Sequence, residues 1–334
     1  MSAVEDGKDS LVSIITPTFN RRAMVGEMLD SLVSQHYRPI EAIVVDDGST
    51  DSTAEELQGR WDDVSGCTLT IIRQHNAGPA AARNRGLQAA HGELVYFLDS
   101  DDLVEKDGLV RLARALEASG SDYALGHILH ADRDGNRIWR RDNFAPQVDL
   151  QGVVGSNWAT HAAIIRRSAL DGAGHYLEGL LVGEDTELAW RIVATCGAPA
   201  LIADIVALRR VHDEGHLSDG LPQAQIGLST LAKLKAFRGW AVERNAMTPA
   251  IAQRALSQLP LALLRLRAAR LDKEAGELLE LALQLESDGA KPSSSFRAIK
   301  ALGSGPAARL VGKALPGLRA GVRLGRWAKS LFSG

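Results

Sequence analysis

Apolar positions in the first hundred residues alternate between short continuous runs and recurrence at helical spacing. Residues 11–16 form a β-branched apolar run closed by Pro17, and Met24, Val25, Met28, Leu29, Leu32 and Val33 then repeat with a period near 3.6. Further buried strands are predicted over 40–45, 69–72 and 93–98, and Pro79 suits the first turn of a helix reaching about Ala90. Strands alternating with helices predict an α/β domain, a mostly parallel sheet flanked by helices.

Beyond Asp107 the pattern predicts a helix to about Ser119 and strands over 123–129 and 162–165. A helix over 184–195 and a strand over 200–208 follow. From about Gln223 to Leu285, Leu, Ala and Arg dominate at helical spacing, with breaks expected at Pro249, Pro260 and Asp272. The expected organisation is a short tail (1–10), an α/β domain (11–220), a helical appendage (221–288) and a basic tail (289–334).

Hydrophobic content of 45% and charged content of 24% over 334 residues suit a globular protein. The net charge of −3 is uneven: the last 46 residues hold nine Lys or Arg and no acid, leaving about −12 for the remainder. Val311, Leu315, Leu318 and Val322 share a helical face, with Lys313, Arg319, Arg323, Arg326 and Lys329 largely off it. Such a segment suits an anionic membrane surface. Pro316 interrupts it, so a solubilising tail or a helix packed on the protein is the alternative. Its few aromatics argue against nucleic-acid stacking. Cys67 and Cys196 have no metal-ligand spacing and read as free thiols of a reducing compartment. The acidic start lacks a signal-peptide order, and no apolar run approaches ~20 residues. A cytoplasmic location is expected, with the tail able to touch the cytoplasmic face of a membrane.

Three polar clusters follow predicted strands: Pro17-Thr18-Phe19-Asn20, Asp46-Asp47-Gly48-Ser49 and Asp99-Ser100-Asp101-Asp102. A parallel sheet lines such strand ends along one edge, where open α/β sheets bind ligands. Acids gathered there repel one another unless a cation or a hydroxyl-rich ligand lies between them. Each cluster alone reads equally as turn and cap chemistry. A phosphate-binding P-loop is excluded, because no Gly-x-x-x-x-Gly-Lys sequence occurs.

Together these clusters, with Asn76-Ala77-Gly78, Ala82-Arg83-Asn84, Ala90-His91-Gly92 and Gly183-Glu184-Asp185-Thr186-Glu187-Leu188, resemble the family-2 glycosyltransferases. The resemblance covers roughly residues 11–220 and implies the GT-A fold. It implies transfer of a sugar, with inversion, from a nucleotide-diphosphate donor to an acceptor hydroxyl, in cell-surface polysaccharide or glycolipid synthesis. A UDP-sugar donor, a glycan or glycolipid acceptor and a Mg2+ or Mn2+ ion are the implied partners. By resemblance Asp101 is a metal ligand, while Asp99 and Ser100 lie against the donor ribose and metal shell. Pro17 and Phe19 pack beside the base, Asp47 accepts from its imide N–H, and Arg83 donates to its carbonyl. Arg83 alternatively reads as a helix-surface charge. Asp185 matches the catalytic base with Glu184 beside it, although acids also favour a helix amino terminus. His212 corresponds to a residue near the diphosphate or metal, and Arg209 or Arg210 could pair with phosphate. Trp158 and His161 fall where acceptor contacts occur, and core packing explains Trp158 equally. A nucleotidyltransferase that makes sugar nucleotides, and a non-catalytic nucleotide- or glycan-binding protein, are the alternatives. Deleting residues 291–334 is expected to abolish sedimentation with anionic liposomes while leaving transfer to a soluble acceptor. Unchanged sedimentation would rule out the membrane reading.

Overall fold

The computed structural model describes residues 10–58, 60, 64–132, 136–141, 149–154, 160–211, 221–293 and 296–297. Trp158, His212 and almost all of the basic tail lie outside them. The chain divides into two compact units, the first built from residues within 1–149, 157–179 and 184–214, the second from 150–156, 180–183 and 215–334.

In the first unit β1 (Val12–Thr18), α1 (Arg22–Val33), β2 (Ile40–Asp46), α2 (Thr53–Leu57), β3 (Cys67–Arg73), α3 (Pro79–Ala89) and β4 (Leu94–Phe97) follow the predicted alternation. Next come β5 (Leu103–Val104), α4 (Gly108–Ser119), β6 (Tyr123–Ala131) and β7 (Arg137–Arg141). The second unit contributes α5 (Leu150–Val153), after which β8 (Ala163–Arg166), α6 (Arg167–Ala173), α7 (Glu184–Cys196) and β9 (Ala200–Arg210) complete the first. Among the described residues the strand order is β3-β2-β1-β4-β8-β6-β9-β5, with β7 on β6.

The first four strands are mutually parallel, as expected. Past β4 the sheet is mixed. β8 runs antiparallel to β4 and β6, β9 parallel to β6, and β5 antiparallel to β9. The change comes where strict strand–helix alternation ends, after β4. Val12, Ile14, Met28, Leu29, Val44, Tyr96 and Leu112 are among the fully buried side chains of one core layer.

Pro17 does not close β1, which runs to Thr18 with Pro17 opposite Val45. The Ile15 carbonyl accepts from Leu98 N on the β4 side, and the Thr18 carbonyl from Asp47 N on the β2 side. Alternation therefore turns the Pro17 nitrogen toward β4, beyond Phe97, the last β4 residue in register. Its missing N–H removes no rung from the β1–β2 ladder.

In the second unit α8 (Gln223–Glu243), α9 (Pro249–Ala268) and α10 (Asp272–Ser287) pack through Leu234, Phe237, Leu256, Leu259, Leu263, Leu278 and Leu281. Pro260 lies inside α9 and does not break it. Burial of Leu256, Leu259 and Leu263 around it offsets the ~3 kcal/mol an interior proline costs. Among the described residues no helix is long and apolar enough to cross a membrane.

A buried carboxylate ties the sheet together at the end away from the acidic turns. Glu41 Oε1 accepts from Ser13 Oγ (2.5 Å), His91 N (2.5 Å) and Gly92 N (2.8 Å), joining β1, β2 and the turn before β4. Gly92 is required there, since a Cβ would stand 2.5 Å from the Leu11 carbonyl oxygen. Burial alone would raise the Glu41 pKa, but the hydrogen bonds outweigh it and hold the carboxyl below its usual 4.5. A depressed folded pKa contributes stability above the unfolded value and loses it on acidification. Glu41→Gln is thus expected to cost about 1–3 kcal/mol at pH 7 in urea unfolding. The difference from wild type should narrow below about pH 4.

Candidate active site

The parallel half of the sheet delivers its polar clusters side by side. The turn after β1 and the turn after β2 are clipped to each other. Asn20 N donates to Ser49 Oγ (2.9 Å), Asn20 Oδ1 accepts from Thr50 N (2.8 Å), and Asp46 Oδ1 accepts from Ser49 N (2.8 Å). Gly48, at φ +88°, makes the bend between them, and its Cα faces Asn76 N closely enough that a Cβ would sit at 3.1 Å. Asp47 then builds the loop before α3: it accepts from Gln74 Nε2, Ala77 N and Gly78 N, each at 2.8 Å. Pro17 is half-buried at the end of β1, and the Phe19 ring beyond it is 46% exposed, open to a ligand.

Arg83, on α3, is the centre of the site. Its side chain is only 4% exposed, so the surface-charge reading does not hold. Nη2 donates to Asp99 Oδ1 at 2.7 Å and Nη1 to Glu184 Oε1 at 3.0 Å, with Asp185 Oδ1 at 3.4 Å. The guanidinium also lies 5.2 Å over the Tyr176 ring, which packs edge-on against Phe97. Asn84 fixes the Tyr176 segment, donating to the Tyr176 carbonyl (3.0 Å) and accepting from Tyr176 N (2.9 Å). Three carboxylates from the β4 turn and the start of α7 thus converge on one buried cation. Both Arg83 Nη atoms are engaged by acids, and Nε has no partner among the described residues.

Burial pushes the Asp185 carboxyl up to about 7; Arg83 pulls against this, while Glu184 and Asp99 add to it. With 26% of its side chain open, Asp185 can still be reached. Glu184 and Asp185 also stand in the first turn of α7, where the helix dipole favours their charge.

The acid turn after β4 is held from behind. Arg210, expected as a phosphate partner, is 2% exposed and spent inside the protein. It donates from Nε to the Asp101 carbonyl (2.5 Å), pairs with Glu27 through Nη1, and reaches the Met24 carbonyl, while its backbone N meets Asp102 Oδ1 at 3.1 Å. Ser100 is buried beside Asp99. Asp99, Asp102 and His161 each offer a ligand atom, and these atoms all lie within 4.8 Å of one another. Asp101 is not one of the three. Burial raises the Asp102 pKa, as do Asp101 and Asp99, and burial pushes His161 down to about 4, leaving it neutral at pH 7. Two carboxylates and a neutral imidazole are chemically suited to a divalent cation. The expected ligand His212 lies outside the described residues.

Arg83, Asp99 and Asp185 are therefore brought together, and Pro17, Phe19 and Asp47 occupy the adjoining strand ends. The inward role of Asp102, and its approach to His161, were not anticipated from sequence. Asp102 was hidden by its place in an acid run, and His161 by having no telling spacing to any acid.

A parallel half-sheet carrying these turns, extended by mixed strands, is the GT-A fold. Similar solved structures share it. S. aureus TarS 1-349, in complex with UDP-GlcNAc, aligns over 83% of this chain and 90% of its own, with a TM-score of 0.55 and 21% identity. The mannosyltransferase PcManGT from Pyrobaculum calidifontis, in complex with GDP-Man and Mn2+, aligns over 92% of this chain and 84% of its own, with a TM-score of 0.53 and 19% identity. Residues 13–174 match the family model described as Glycosyl transferase family 2. This match, over just under half of the chain, marks residues 13–174 as similar to a glycosyltransferase family 2 domain. A curated relative, the succinoglycan biosynthesis protein ExoU of Rhizobium meliloti, is 32% identical over 188 residues, 48% of this chain and 54% of the relative. The chain spans about half the length or less of the curated relatives it matches.

Arg83→Gln would leave three acids facing one another without their buried counter-charge. It is expected to lower stability by about 2–3 kcal/mol, less than a fully buried pair because Asp99 and Asp185 are partly open. Urea unfolding at pH 7 measures it, and a loss under 0.5 kcal/mol would reject this role.

Proposed function

We propose that this protein is a metal-dependent inverting glycosyltransferase moving a sugar from a nucleotide-diphosphate donor, a UDP-sugar by preference, to an acceptor hydroxyl. The reading rests on one observation: Asp185 is a reachable carboxylate with its pKa pushed up to about 7, ion-paired to the arginine that also holds Asp99.

In this reading the strand-end turns bind the donor. Phe19 and Pro17 cover one face of the base, and Asp47, already bonded to the Asn76–Gly78 loop, presents its remaining acceptor capacity to the imide N–H. Ser100 and Asp99 face the ribose. Arg83 holds Asp99 on one side and the Glu184–Asp185 pair on the other, which orients donor and base together. Asp185 takes the proton of the acceptor hydroxyl as its oxygen bonds to the anomeric carbon. The bond to the diphosphate breaks on the opposite face, and its electron pair leaves with the nucleotide. Asp101 and His212, the ligands implied by motif resemblance, would hold a Mg2+ or Mn2+ ion at the acid turn, which would neutralise charge on the departing diphosphate.

TarS bound to UDP-GlcNAc and PcManGT bound to GDP-Man and Mn2+ support a nucleotide-sugar donor and a divalent ion by analogy of fold. The name of the succinoglycan biosynthesis relative supports an acceptor in cell-surface polysaccharide or glycolipid synthesis. A cytoplasmic site of action, with the basic tail on an anionic membrane, belongs to the same proposal.

Screening nucleotide-sugars with Mg2+ or Mn2+ for released nucleoside diphosphate identifies the donor. Asp185→Asn is expected to keep the donor-induced thermal shift and to lose about 10²–10⁴-fold in kcat. Because the base must be ionised, wild-type kcat/KM should fall tenfold per pH unit below about pH 7. Near-wild-type transfer by the variant, or a flat profile between pH 5 and 8, would remove Asp185 from this role.

A further inference from the structure

His161 falls where acceptor contacts were expected, yet it is buried, and that role does not explain its placement. β8 runs antiparallel to β4 with Tyr96 opposite Ile164, so the turn ahead of β8 brings His161 to the carboxyl end of β4. The Tyr96 hydroxyl donates to the His161 carbonyl and fixes the backbone there. The imidazole is 7% exposed, and its Nε2 has no partner among the described residues.

The ring is directed at the acid turn. Nδ1 lies 3.5 Å from Asp102 Oδ2. That is long for an N–H···O hydrogen bond, which spans about 2.7–3.2 Å. It is close to the spacing of two neighbouring ligands of one ion, since donors about 2.1 Å from a common cation at roughly 90–110° stand about 3.0–3.4 Å apart. The carboxylates are arranged to match. Asp99 spends Oδ1 on Arg83 and Asp102 spends Oδ1 on Arg210 N, which leaves the two Oδ2 atoms for a further ligand. All three residues offer atoms within one 4.8 Å cluster.

We infer that His161 is a nitrogen ligand of the divalent cation, completing a donor set with Asp99 and Asp102, and that this nitrogen makes the site select Mn2+ over Mg2+. The inference deepens the metal-dependent reading and rests on it. Mg2+ is a hard ion that keeps oxygen ligands and water, whereas a first-row transition ion accepts an imidazole more readily. An all-oxygen acid turn would not make that distinction. His161 thus sets which ion the enzyme uses, and its direct contact is with the cation.

The test is electron spin-echo spectroscopy of Mn2+ bound to the full chain in the presence of UDP, with calorimetry for affinities. Wild type is expected to show a 14N coupling that converts to 15N on histidine labelling. It should also bind Mn2+ at least tenfold more tightly than Mg2+. His212→Gln, which removes the other nitrogen proposed at the metal, should keep a 14N coupling, and adding His161→Gln to it, with folding checked by circular dichroism, should remove the coupling and most of the preference. Should the double variant not fold, the wild-type coupling, its persistence in His212→Gln and the ion preference decide the matter. Bound Mn2+ without nitrogen coupling, or a coupling that survives in the double variant or disappears in His212→Gln alone, overturns the inference and leaves metal-dependent transfer standing. Failure of wild type to bind either ion, with or without UDP, overturns both.

Discussion

One buried positive charge organises the candidate active site. Arg83 reaches from α3 to carboxylates carried by two other elements, the turn after β4 and the first turn of α7. Without it, Asp99, Glu184 and Asp185 could not share so small a space, because like charges at short range in a poorly solvated setting repel by several kcal/mol. The arginine does not simply cancel them. Asp185 stays high in pKa because its burial and its acidic neighbours outweigh the guanidinium. That balance keeps a carboxylate basic near neutral pH and also holds it in place.

The sheet divides the remaining work. Its parallel half supplies preformed turns whose polar atoms are occupied by one another: Asn20 with Ser49 and Thr50, Asp46 with Ser49, Asp47 with the loop before α3. Loops bonded in this way lose little further freedom when a ligand arrives. The mixed half supplies what the parallel half cannot. β9 ends in Arg210, which braces the acid turn against α1, and β8 is preceded by His161. Only β8 needs the opposite direction for this, since its start then lies where β4 ends, whereas β9 runs with β4 and delivers its own end to the same edge.

Much of this was legible before any coordinates. Continuous apolar runs located β1 to β4 to within two residues, because strands buried on both faces leave a strong signal. The acid clusters at their ends do lie along one edge of the sheet, as the parallel alternation implied. Local pattern misled where partners are remote. Pro17 read as a strand terminator, although its missing donor faces no paired neighbour. Pro260 read as a helix break, although buried leucines on either side carry α9 through it. Arg210 looked like a phosphate ligand, and only the fold reveals that its guanidinium is enclosed by Glu27, Met24 and Asp101. His161 carried no spacing signal, because the acid it approaches is 59 positions away in the chain.

Pro17 also has a bearing on where β1 and β4 part. A residue with an amide hydrogen at that position could form one more rung with the chain leaving β4, zipping the two strands further along. Proline withholds that donor. The β4 chain is therefore free to diverge after Leu98, and Asp99 and Ser100 depart from the sheet instead of extending it. A single absent hydrogen thus ends the β1–β4 ladder at Leu98, and the acid turn begins where the ladder stops.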